Sequence, residues 1–65
     1  MATANEMLNI YILEYQAQLY QIRVFELEHP ENTDGFNALV ETAENIKLRA
    51  EGAGAKNLPP LPKRK

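Results

Sequence analysis

The stretch from Met7 to Leu27 constrains this 65-residue chain most, because it is apolar on two sides rather than one. Read as an α-helix, Ile10, Leu13, Ala17, Tyr20, Val24 and Leu27 recur at alternating spacings of three and four, the pattern of an a/d seam. A second series, Leu8, Ile12, Tyr15, Leu19 and Ile22, alternates in the same way. At about 100° per residue the two series lie on roughly opposite sides of the helix. Asn9, Gln16 and Arg23 form one polar stripe between them, and Glu14, Gln21 and Glu28 the other. A helix resting on a single core shows one apolar stripe. A helix that is apolar on two sides must be covered on two sides.

The same stretch holds β-branched and aromatic runs, residues 7–13 and 19–25, that would suit a β-hairpin. The turn that would join them, Tyr15-Gln-Ala-Gln18, has no Gly, Pro, Asn or Asp, so hairpin chemistry is missing. A helix from Ala4 to about Glu28 is the expectation. Thr3 followed by Glu6 matches a capping box at its start, and Pro30 stops it by excluding His29 from helical dihedrals.

Residues 29–34 form a connector of turn-forming side chains, with Asn32, Thr33 and Asp34 as alternative N-caps. A second helix follows from about Gly35 to Glu51. Its a/d series is Phe36, Leu39, Ala43, Ile46 and Ala50, and Gly52 or Gly54 closes it as a C′ glycine. The short connector favours an antiparallel pair. The expected fold is therefore all-α, a two-helix hairpin over residues 1–55 with a separate C-terminal arm.

The second helix can cover only one side of the first. Ala17, Ala43 and Ala50 permit close approach, which favours the Ile10–Leu27 seam for the intrachain contact. The other face, Leu8, Ile12, Tyr15, Leu19 and Ile22 widened by Tyr11 and Phe25, then becomes an intermolecular interface. Tyrosines at such positions suit interfaces, with the hydroxyl at the rim.

Residues 56–65 cannot be helical beyond Asn57, since three prolines in four residues favour polyproline II. Leu58-Pro-Pro-Leu-Pro-Lys-Arg64 resembles the Pro-rich ligands of SH3 domains, with the leucines on one edge, Pro59 and Pro62 on another, and Arg64 for an acidic rim. The plainer reading is a semi-rigid arm that docks on a neighbour through Leu58, Pro59, Leu61, Pro62, Lys63 and Arg64. None of the helical seam residues lies in it, so the helices are expected to fold without it.

A chain this short builds a small core and usually needs disulfides, a metal or a partner. It has no Cys, which excludes disulfides and thiolate sites. His29 is alone, and His29, Glu31 and Asp34 lie in a turn where polar residues are expected anyway, so no metal or other cofactor is implied. There is no Ser, no Cys and no Gly-rich loop opening a helix, so neither an activated nucleophile nor a phosphate cradle can be drawn, and the chain reads as a non-enzyme. A partner remains.

Charge narrows the partner. Residues 1–55 hold nine acids against Arg23, Lys47 and Arg49, a net of −6, while residues 56–65 carry +4. An acidic body argues against nucleic acid, and Lys63-Arg-Lys65 offers too few charges to hold phosphates at physiological salt. Glu14 and Arg23 interrupt every apolar stretch long enough to approach a membrane span. No basic and apolar leader opens the chain, which suggests an intracellular or virion location. The expectation is a structural or accessory protein that self-associates through its first helix within a larger assembly, such as a virus or phage particle. A small helical inhibitor or regulator of another protein is the alternative, and an adaptor whose tail meets an SH3-like domain is a further one.

Overall fold

The computed structural model describes residues 3–65. Met1 and Ala2, part of the terminus read above as lacking a leader, lie outside the described residues. Two helices, α1 (Ala4–Glu28) and α2 (Thr33–Gly52), pack against each other, with no strand among the described residues. The principal-axis extents are 42 × 17 × 16 Å, so the molecule is a rod about as long as α1.

Local chemistry sets each helix end. Thr3 Oγ1 accepts the Glu6 N–H at 3.1 Å, satisfying one of the orphan amides of the first turn. At the other end His29 has φ −135° and ψ 62°, outside the helical region, because Pro30 follows it. Its N–H still donates to the Phe25 carbonyl at 2.7 Å. Of the three possible caps for α2, Asn32 is used: its Oδ1 accepts the Gly35 N–H at 2.9 Å. Choosing Asn32 starts α2 at Thr33, two residues before Gly35. It also puts Asp34 in the first turn, where the helix dipole favours an acid.

Of the two candidate glycines, Gly54 reverses the chain. It has φ +108°, its N–H donates to the Glu51 carbonyl at 3.0 Å, and the Ala55 N–H donates to the Ala50 carbonyl at 2.9 Å. These paired bonds are a Schellman motif, which needs a left-handed residue at that position. Asn57, at φ +60°, adds a second left-handed step. Together they send residues 58–65 back along the helices.

The helices are antiparallel. Gln18 Nε2 donates to the Leu39 carbonyl at 3.2 Å, and the Phe25 ring reaches Gly35 near the connector. The core consists of Tyr15 and Ile22 from α1 with Phe36, Val40 and Ala43 from α2. Leu19, Phe25, Leu39, Ile46, Leu58 and Leu61 pack around it. On α2 the buried stripe is Phe36, Val40, Ala43 and Ala50. It is therefore rotated slightly from the Phe36–Leu39–Ala43–Ile46 line of the a/d series, with Val40 buried and Leu39 and Ile46 at its edge.

The intrachain face of α1 is the opposite of the one that small residues favoured. Tyr15 and Ile22 are buried inside the chain, and Leu19 and Phe25 pack against its core. Ile10, Leu13, Ala17, Tyr20 and Leu27 point outward. The reason is volume. The inner face of α1 meets two neighbours, α2 and residues 58–65, and the larger face fills the space between them. The Tyr15 hydroxyl also finds a partner only on that side.

Candidate functional site

Two surfaces carry the residues that the sequence singles out. The first is the seat of the C-terminal segment. Tyr15 donates from its hydroxyl to the Pro59 carbonyl at 2.6 Å, a short bond that pins the segment at its start. Leu58 and Leu61, on one edge of the extended backbone, turn onto the core, and Pro62 is half-buried beside them. The far end is held by a cluster at Lys65. Its backbone N–H donates to Asn37 Oδ1 at 2.9 Å and its carbonyl accepts from Asn37 Nδ2 at 3.1 Å. Its ammonium lies 3.1 Å from Glu26 and 4.7 Å from the centre of the Phe36 ring. Arg64 meets Glu44 at 3.2 Å. Lys63 is exposed.

The order of these contacts, Pro59 at Tyr15 and Lys65 at Glu26 and Asn37, lays the segment parallel to α1 and antiparallel to α2. The leucine edge of the SH3-ligand-like motif is turned onto this chain's own core, while Pro59 and Pro60 are exposed. Lys65 is the contact that motif reading missed. Its signal was the opposition of a +4 tail and a −6 body, which favours return of the tail to the helices. The ion pairs are exposed and each contributes little. Leu58, Leu61 and the Tyr15 bond anchor the segment.

Burial raises the Tyr15 pKa above its ordinary 10.0, and the charge of Glu51 raises it further. The phenol therefore stays protonated, as a donor must, through the neutral range.

The second surface is the outer face of α1. Ile10 is 43% exposed, Leu13 63%, Tyr20 65% and Leu27 78%. Ala17 is exposed between them and Val24 is half-buried. These are the six members of the heptad seam, on the side of the helix opposite Tyr15 and Ile22. Of the seven residues assigned above to an intermolecular interface, Tyr15, Leu19, Ile22 and Phe25 are used within the chain, and Leu8, Tyr11 and Ile12 are half-buried. That assignment is corrected: the outward apolar face is the other seam.

Among the described residues no three His, Asp or Glu side chains converge as metal ligands would, and His29, Glu31 and Asp34 are all exposed around the connector. No helix of the described residues is long and apolar enough to cross a membrane. In comparisons with known proteins, no family model, no curated protein and no solved structure matches this chain.

Proposed function

We propose that this chain is a non-enzymatic interaction protein that self-associates through the outward seam of α1 as part of a larger assembly. One observation carries the reading: Ile10, Leu13, Tyr20 and Leu27 stand exposed in heptad register along one side of a helix whose other side is already packed. Scattered surface leucines need no explanation, but a continuous apolar line two to three heptads long does. The helix is also packed against α2 and the C-terminal segment along its inner face. A partner therefore meets a preorganised surface and little ordering entropy is lost on binding. The C-terminal segment favours the seam over the tail as the contact surface, since Leu58, Pro59 and Leu61 are engaged within the chain.

Light scattering over a concentration series tests this. The wild-type chain is expected to exceed its monomer mass, and Leu13→Asp to return it to a monomer of unchanged helix content, because an unpaired carboxylate would be buried at an apolar contact. Leu19→Asp should instead lower helix content, since Leu19 packs against the core. A wild-type monomer at every concentration would refute self-association and leave the seam for a different protein, as an inhibitor or regulator would use it.

A further inference from the structure

The order of side-chain sizes along the seam carries an orientation. In sequence the line reads Ile10, Leu13, Ala17, Tyr20, Val24, Leu27. Laid against a second copy running the opposite way, Ile10 meets Leu27, Leu13 meets Val24, and Ala17 meets Tyr20, each pair occurring twice. Every layer then combines a larger with a smaller or two medium side chains, and the small central Ala17 makes room for the Tyr20 ring. In a parallel pair each residue meets its own copy. That leaves an Ala17–Ala17 layer hollow and a Tyr20–Tyr20 layer crowded next to it. Interfaces between helices, like cores, tolerate neither voids nor overpacking.

Charge gives the parallel arrangement one advantage. It would bring Arg23 opposite Glu28 of the second copy, and neither has an ion-pair partner among the described residues. The antiparallel arrangement sets Arg23 near Gln16 and Glu14 near Gln21, with no like charges opposed. An exposed ion pair of this kind shifts a binding constant by about fivefold at most, and the pair would occur twice. The hollow Ala17 layer and the crowded Tyr20 layer together shift it by about a hundredfold or more. Packing decides.

A second copy fits as occupant because the seam is complementary to itself, each of its six residues finding its partner within the same seam.

We infer that two copies of this chain associate through α1 as an antiparallel pair with Ala17 of each facing Tyr20 of the other. This inference rests on the self-association reading above and adds its orientation. The hydroxyl of Tyr20 reaches the rim of the contact while its ring fills the space over Ala17. The two C-terminal segments, on the inner faces, stay outside the contact.

The chain has no Cys, so single cysteines report orientation cleanly. Leu13→Cys and Val24→Cys proteins are mixed in equal amounts in a glutathione redox buffer, and disulfide-linked species are resolved by mass spectrometry without reduction. Neither position belongs to the core cluster, and circular dichroism checks each fold. The antiparallel pair predicts at least fivefold more of the mixed disulfide, joining the Leu13→Cys protein to the Val24→Cys protein, than of either homodimeric disulfide. Dominant homodimeric disulfides, or a statistical mixture, from a chain that light scattering shows to be dimeric would overturn the orientation and leave self-association standing. A wild-type monomer would overturn both.

Discussion

Tyr15 is where sequence, packing and chemistry meet in a single side chain. It is fully buried, and its hydroxyl ties α1 to the start of the C-terminal segment, with Pro59 as acceptor. Tyr15→Phe should cost about 1 kcal/mol of stability at pH 7, measured by urea unfolding, because the hydrogen bond between the buried phenol and the Pro59 carbonyl is lost. Its pH dependence follows from the raised pKa. In the unfolded chain Tyr15 gives up its proton near the ordinary 10.0, whereas in the folded chain burial and then Glu51 hold the proton on. Above that pH the unfolded state binds fewer protons, so wild-type stability falls as pH rises from about 10 toward the raised folded value. Below pH 10 this contribution is flat. Tyr15→Phe should remove that slope, and other titrating groups are common to both proteins. Equal alkaline slopes would show that Tyr15 ionises as freely in the folded chain. Gly35 makes a second test. A Cβ there would lie 2.6 Å from Phe25 Cζ and 3.0 Å from Asn32 Oδ1, the atom that caps α2. Gly35→Ala gains up to about 1 kcal/mol of helix propensity, but overpacking costs about 1–3 kcal/mol. We expect a net loss of about 1 kcal/mol in urea titrations, relieved by adding Phe25→Leu, which removes the clashing atom. A more stable Gly35→Ala protein would mean that the ring moves aside without cost.

At the scale of elements the C-terminal segment counts as a third layer of the fold, although it has no regular secondary structure. Removing residues 57–65 should cost about 2–4 kcal/mol, the sum of losing the burial of Leu58 and Leu61, uncovering Ile22 and Leu19, and breaking the Tyr15 bond. For a chain of this size that corresponds to a fall in melting temperature of at least about 10 °C by calorimetry. Neutralising Arg64 alone should change it by no more than a few degrees, since its pair with Glu44 is exposed. An unaltered melting temperature after truncation would mean that two helices suffice, as the plain reading of the sequence has it. This element also marks where sequence reading stops. Periodicity shows that Met7–Leu27 has two apolar faces and that Phe36–Ala50 has one, and the hairpin follows. It does not show which face of α1 turns inward, because both are apolar and both keep heptad spacing. The deciding partner is the segment 58–65, whose leucines repeat every three residues in an extended chain and so leave no helical or strand signature. Asn57 and Gly54 give the reversal its dihedrals, but neither residue type specifies it: both also occur in open turns.

For the whole molecule, stability and assembly are coupled. Among the described residues only six side chains are buried, in a rod whose exposed area exceeds the average for its mass. A small core of that kind is marginal by itself, and association that binds only the folded form adds stability by mass action. The melting temperature should therefore depend on protein concentration. For a dimer each tenfold increase adds about 0.7 kcal/mol per chain, which at about 4–8 °C per kcal/mol raises the midpoint by roughly 3–6 °C. Leu13→Asp should remove the concentration dependence and melt at every concentration near the wild-type midpoint at high dilution, because Leu13 lies outside the core that α1 shares with α2. The two proteins would then converge on dilution and diverge on concentration, a pattern that loss of folding cannot mimic, since a core defect lowers the midpoint at all concentrations alike. Calorimetry of both chains across a hundredfold range of concentration reads this directly. A wild-type midpoint that does not move would separate folding from assembly: the hairpin and its C-terminal segment would be stable as they are, and the exposed seam would serve a partner other than a second copy.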